Sequence, residues 1–205
     1  AIFDALGLAE IPPELREDQG EFAASERDEL PRLLEWTDLR GSLHNHSLWS
    51  DGRGTLEEIA VHMDGLGCGY WAITDHSKSS FVANGLDASR LRQQIKAVAE
   101  VNKSWADKGS DFRLLTGSEV DILTSGDLDF EDDLLAELDV VVASVHQGFT
   151  QTEAEMTKRL IRAAENRYVH TIGHLTGRLL LEREPYKVNQ RAVIDACAAT
   201  GTWIE

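Results

Sequence analysis

Along most of this chain, short apolar runs alternate with longer segments that carry helix caps and helical spacing of apolar residues. The stretches 39–46, 70–74, 112–115 with 120–122, 139–144, 168–172 and 202–205 read as strands, the third with an interruption. Between the first two, Thr55 and Glu58 form a capping box for a helix that Gly67 ends. Asp87 caps a second helix, with Leu91, Ile95, Val98 and then Asn102 or Trp105 on one face. A short helix is expected over 133–138, one from Thr152 with Glu155 to about Asn166, and one from Asn189 to Gly201. Alternation of this kind is the mark of an α/β domain with crossover helices. The run Val140-Val141-Val142-Ala143 suits a parallel strand covered on both faces. Periodicity leaves a doubly wound sheet and a barrel both open.

In either architecture the carboxyl ends of the strands converge on one mouth, and most of the seven histidines track those ends. His44 and His46 stand two apart, a spacing that puts both imidazoles on one face of a strand, and Asp51-Gly52 can turn back towards them. His76 follows the second strand, Glu119 lies near the end of the next, His146 follows Val140–Ser144, and His174 follows the stretch ending at Ile172. Imidazoles with carboxylates and no cysteine favour zinc, manganese or iron over an all-oxygen magnesium site. Five histidines, a glutamate and an aspartate exceed one ion's needs, so at least two divalent ions are expected, with Glu119 as the bridge. Two such ions suit in-line phosphoryl displacement. Lys78 and Arg178 fall near the same mouth and are candidate holders of phosphate oxygens. Asp75 reads either as an acceptor that steers an imidazole or as a turn residue. His62 reads as a surface or packing residue, and His170 as a packed or hydrogen-bonded core histidine.

Composition narrows the partners. With 20 Lys+Arg against 36 Asp+Glu, the net charge of −16 argues against broad, sequence-independent DNA binding through a basic face. Residues 1–35 hold ten acids and three arginines, with Pro12 and Pro13 in an element read as extended. This region reads as a linker or the tail of a preceding domain. Cys68 and Cys197 are expected to be buried free thiols in a reducing cytosol, which points to a cytoplasmic protein. No apolar run approaches the ~20 residues of a membrane span.

The stretches HNHSLWSDG (44–52), ITDHS (73–77), LLTGSE (114–119), ASVHQGF (143–149) and IGHLTGR (172–178) resemble, in order, the motifs of the PHP (polymerase and histidinol phosphatase) family. The resemblance covers about residues 37–205. It points to the variant at the carboxyl end of bacterial and archaeal X-family DNA polymerases, because EIPPELREDQGE (10–21) resembles the joining segment and TGRLL (176–180) is also typical. It implies a distorted (β/α)7, TIM-like barrel over 37–205, with 1–36 as the tail of a polymerase region in cis. It implies a trinuclear centre: His44, His46 and Glu119 on one ion, Glu119, His146 and His174 on a second, Asp51 and His76 helping to hold a third. Leu175 stands where a proline is expected. The family's last motif, an Asp-x-His pair, is expected after Glu205, so the barrel reads as truncated there. The implied activity is manganese-stimulated 3′–5′ exonuclease action on DNA ends, linked to repair. The alternatives are a small-molecule phosphatase of the histidinol-phosphatase type, and a non-catalytic, metal-stabilised module that supports a polymerase.

Overall fold

Six parallel strands take the order in which the chain makes them. The computed structural model describes residues 2–7 and 9–205. It divides into two units, residues 1–39 and 40–205. In the second, β1 (Gly41–Ser42), β2 (Tyr70–Ile73), β3 (Arg113–Asp121), β4 (Val140–Ser144), β5 (Thr171–Ile172) and β6 (Trp203–Ile204) pair each with the next, all parallel. A sheet whose spatial order equals its sequence order never reverses direction, which is how a barrel winds rather than a doubly wound sheet. The result is a curled half-barrel with helices outside.

In the first unit, α1 (Ile2–Leu6) and α2 (Glu21–Glu26) are short. The segment expected to be extended contains a 3-10 turn at Pro13–Leu15, because proline at its first position presets the backbone. The Glu21 carboxylate accepts from the Asp18 and Gln19 amides (3.1 and 2.8 Å), which starts α2 inside an acidic stretch.

Four further helices of the second unit begin as their caps predict. Thr55 and Glu58 close a capping box ahead of α3 (Leu56–Gly65), and Asp87 accepts from Arg90 N ahead of α4 (Ala88–Asp107). Thr152 with Glu155 opens α6 (Glu153–Ala164), and Asn189 opens α7 (Gln190–Thr200). The short helix α5 is Asp132–Leu135. It ends earlier than expected, because Glu137 and Leu138 turn on three-residue bonds so that Asp139 N can reach the Thr116 carbonyl (2.9 Å).

Strand parity sorts the buried residues. Leu114, Val120, Ile122, Val141 and Ala143 face outward into cores shared with the helices. Burying each of the larger ones contributes roughly 1.5–3 kcal/mol. Leu115, Val140 and Val142 pack instead with Leu43 and Ala72 in a small inner cluster. Glu119 and Asp121 share the parity of Leu115, so β3 carries two acids inward at its carboxyl end.

Three strands differ from expectation. β3 runs unbroken, because its polar middle has partners: Thr116 N and Oγ1 donate to Asp139 (2.9 Å each) and Ser118 Oγ to the Asp75 carbonyl (3.0 Å). Gly117 is required in it, since a Cβ would come 2.7 Å from the Val140 carbonyl. β1 stops at Ser42 because Asn45 takes over the contacts to the second strand's end. Asn45 N donates to Thr74 Oγ1 (2.8 Å), Thr74 N to the Asn45 carbonyl (2.7 Å), and Asn45 Nδ2 to the Ala72 carbonyl (3.0 Å). His44 and His46 therefore sit on a braced loop. β5 is two residues long. His170 precedes it, exposed, and its Nδ1 accepts from Val141 N (3.1 Å); it is hydrogen-bonded, but not a core residue.

Candidate metal centre

At the carboxyl ends of these strands one carboxylate is encircled by imidazoles. Glu119 is 1% exposed. Its Oε1 lies 2.9 Å from His174 Nε2 and 3.1 Å from His146 Nε2. Its Oε2 lies 3.0 Å from His76 Nδ1, 3.2 Å from His44 Nε2 and 3.5 Å from His46 Nε2. The five rings close a circuit, His44–His46–His76–His146–His174–His44, with successive centroids 5.4, 4.4, 5.0, 5.1 and 6.2 Å apart. Asp51, 48% exposed, sits over the His46–His76 edge at 3.8 and 3.7 Å. These are the seven residues the sequence singles out as ligands. Four strand-end loops and the carboxyl end of β3 bring them together.

Outer carboxylates orient two of the rings. His44 Nδ1 faces Glu205 (2.9 Å) and His146 Nδ1 faces Asp121 (3.1 Å). A neutral ring that donates its Nδ1 proton outward presents a bare Nε2 towards Glu119. In the metal-free chain burial pushes both pKa values down, but the flanking carboxylates override it. His44 rises to about 10 through Glu119 and Glu205, and His146 to about 9 through Asp121 and Glu119. Burial likewise pushes Glu119 up. The hydrogen bonds of His146, His174 and His44 overcome that and hold it far below the usual carboxylate range. His76 is lowered, chiefly by burial.

Asp121 and Glu205 were not among the residues anticipated. Asp121 also accepts from Ser80 Oγ (2.7 Å), and Glu205 accepts from His174 N (3.0 Å). That second bond braces a non-glycine residue at φ 25°, a conformation kept only where surroundings enforce it.

Asp75 takes neither role foreseen for it. It is wholly buried and makes no hydrogen bond or ion pair with an imidazole among the described residues. It accepts from Ser47 N (2.8 Å) and from Ser47 Oγ, Ser50 Oγ and Gln94 Nε2 (2.5 Å each), so it fixes the loop that presents His46 and Asp51. Neither Lys78 nor Arg178 enters the cluster. Lys78 Nζ leans towards Asp129 (3.9 Å), and Arg178 is exposed on the loop after His174. His62 lies exposed on α3, and Cys68 and Cys197 are buried free thiols.

The donor set fits divalent cations. Two ligands of one ion at about 2.0–2.2 Å stand roughly 3.0–3.5 Å apart, the separation of the imidazole nitrogens from Glu119. Three groups are tight enough to share an ion: His44/His46/Glu119, His46/Asp51/His76 and His76/Glu119/His146. His174 touches Glu119 but belongs to none of the three, a difference from the set the family resemblance implies. Among the described residues His46 Nδ1 and His76 Nδ1 are buried without a hydrogen-bond partner, His76 Nδ1 even though Glu119 Oε2 lies 3.0 Å away, and a cation in the adjacent space would satisfy both.

A family model described as PHP domain matches residues 42–199. The chain is 43% identical over 199 residues to the DNA polymerase/3′-5′ exonuclease PolX of Bacillus subtilis, across 97% of this chain and 34% of that protein. It is 32% identical over 96 residues to a "Probable phosphatase" of Syntrophotalea carbinolica, across 45% of this chain and 38% of the other. The chain thus spans little more than a third of the length of these curated relatives. A crystal structure from Listeria monocytogenes, of a candidate histidinol phosphatase (hisK), superposes with a TM-score of 0.50 at 17% identity over 66% of each chain. At that identity the likeness concerns the fold alone. No helix among the described residues is long and apolar enough to cross a membrane.

Proposed function

The chain belongs to the PHP domain family, whose members are metal-dependent phosphoesterases, and on that premise we propose that it hydrolyses phosphodiesters at DNA 3′ ends. The observation that carries the hydrolytic part is Glu119, a buried carboxylate within 3.5 Å of five imidazole nitrogens. Such a hub is balanced only by cations. The DNA part is supported by the 43% identity to the Bacillus subtilis exonuclease, which extends across 97% of this chain.

In this reading His44, His46, Asp51, His76, Glu119, His146 and His174 would hold two or three divalent ions, of manganese, zinc or iron. Bound ions supply Lewis-acid polarisation of a phosphoryl oxygen and lower the pKa of an attacking water towards ~7. The chain's own part is positional. Glu205 and Asp121 hold His44 and His146 in the tautomer that leaves Nε2 free. Arg178, exposed and without a carboxylate partner among the described residues, reaches a phosphate at the rim, and Lys78 does so on leaving Asp129. Residues 1–36 are the tail of a polymerase region in cis, which supplies most of the affinity for DNA that a chain of net charge −16 lacks.

The test is a 5′-labelled single strand incubated with the full chain and manganese. Stepwise shortening from the 3′ end, stopped by a chelator, is the expected result. The likeness to the Syntrophotalea protein favours a second reading, a small-molecule phosphatase. Turnover of histidinol phosphate with an intact DNA strand would select that one. Metal-dependent melting without hydrolysis of either substrate would leave a structural module.

A further inference from the structure

Beside the candidate metal centre opens a cavity of about 330 Å³ whose wall is part polar and part apolar. Its lining combines Asp51, His76, Asp121 and His146 of the cluster with the apolar run Phe81, Val82 and Ala83, beside the polar Ser79, Ser80 and Gln147. Phe81 is 86% exposed and Val82 fully so. Single exposed apolar residues need no explanation, but these two are adjacent and held on a loop with little freedom. Ser79 donates through its amide and its hydroxyl to buried Asp129 (2.8 Å each), and Ser80 donates to Asp121 (2.7 Å). On the far side Arg90 donates to the carbonyls of Asn84 (3.0 Å), Gly85 (3.1 Å) and Trp49 (2.6 Å). The loop is anchored at both ends while its tip lifts a phenyl ring into solvent at the entrance to the cluster.

Among the described residues no lysine or arginine lines this cavity, and the loop's own Lys78 leans towards Asp129. Whatever lies next to a phosphoester at the cluster therefore meets an apolar, planar surface rather than a cation. A net charge of −16 also disfavours tracking along a polyanion, so contact with one base suits the chain better than contact with many phosphates.

We propose that Phe81 is a stacking platform for the unpaired nucleobase adjoining the scissile phosphate. This deepens the exonuclease reading and rests on it for the substrate class. The platform selects single-stranded ends, because a paired base is not free to stack on the ring. It acts on binding of the terminal nucleotide.

The probe is a single-stranded trinucleotide with 2-aminopurine at its 3′ end and phosphorothioate linkages, titrated into the full chain in zinc, which does not quench by paramagnetism. The unmodified chain is expected to quench the fluorescence. Phe81→Ala is expected to abolish the quenching and weaken binding about tenfold, as loss of one stacked base does. Phe81→Trp should restore both, and a trinucleotide abasic at that position should bind the unmodified chain and Phe81→Ala alike. Equal affinity of the two proteins for the base-bearing probe, or of the unmodified chain for base-bearing and abasic probes, overturns the proposal. The strand-shortening assay separates this from the parent reading. Shortening without dependence on Phe81 removes the platform and keeps the exonuclease; Phe81-dependent quenching without shortening does the reverse.

Discussion

Asp75 and Glu119 are two buried carboxylates at the ends of neighbouring strands, and their surroundings could hardly differ more. Asp75 is 0% exposed and Glu119 1%. Asp75 is met by one amide, two hydroxyls and a glutamine side chain, all uncharged protein donors. Glu119 is met by five imidazoles, groups that change charge near neutrality and coordinate metals. Burial alone therefore does not mark a site of chemistry. The donor type does: fixed neutral donors complete a structural anion, while titratable ones leave a place that protons and metal ions compete for.

The largest effect expected from this contrast follows Glu119→Gln. Glutamine keeps the shape, removes the charge at the centre of the imidazole circuit and turns an amide group towards ring nitrogens. Metal retained after dialysis should fall by at least one ion per chain, and metal-dependent phosphodiester hydrolysis by at least about 100-fold. Elemental analysis with a turnover assay on the same preparation checks this. Full metal content in the variant would put Glu119 in the same class as Asp75.

The next effect is a pH dependence with opposite signs in the two states of the site. In the metal-free chain His44 and His146 have pKa values raised to about 10 and about 9. Their ion pairs with Glu119 contribute stability that is fully present below about 6.5 and is lost as pH rises through those two values. Loading needs neutral nitrogens, so at pH 7–8 each of these rings must release a proton. Apparent metal affinity should rise about tenfold per pH unit for each proton released, less steeply above about 9 and levelling off beyond about 10. The gain in melting temperature on adding manganese should grow from pH 6.5 to 9, and a pH-indicator dye should register the protons. A gain that stays flat or shrinks over that interval would mean that protons and metal do not compete at Glu119.

What could be read from the sequence was what depends on local rules. Caps placed the helix starts at Thr55, Asp87, Thr152 and Asn189, and apolar runs placed the strands. The rule that ligands follow strand ends picked out the imidazoles that meet around Glu119. The same rules also reach Asp121 and Glu205. Asp121 lies two residues beyond Glu119 on one strand, so parity already puts it on the inner face, and Glu205 follows β6 as His174 follows β5. The partners of Asp75 were of another kind. Ser47, Ser50 and Gln94 come from a loop and a helix whose approach to β2 no spacing encodes, so its role appeared only with the packing. The lengths of β1 and β5 depended on tertiary bonds from Asn45 and His170, for the same reason.

The smallest effect is the one that tests the structural half of the contrast. In Asp75→Asn one carboxylate oxygen becomes an amide donor. If it replaces Oδ1 it faces Ser47 N–H and the Ser50 hydroxyl; if Oδ2, it faces the Ser47 hydroxyl and Gln94 Nε2. The hydroxyls can rotate and Gln94 can flip its amide, but the Ser47 N–H is fixed by the backbone. The side chain will therefore settle with its oxygen on that amide and leave the Gln94 side to reorganise. Breaking one such bond in a fully buried network costs about 2–4 kcal/mol, or roughly 5–15 °C in melting temperature for a chain of this size. Metal content per folded chain should stay that of the unmodified protein, since Asp75 makes no hydrogen bond to an imidazole among the described residues and Ser47 N keeps its acceptor. Calorimetry of the metal-free and metal-loaded variant, with elemental analysis of both, reads the two quantities separately. A variant that melts normally but has lost metal would move Asp75 into the metal centre, and the contrast with Glu119 would collapse into a difference of degree.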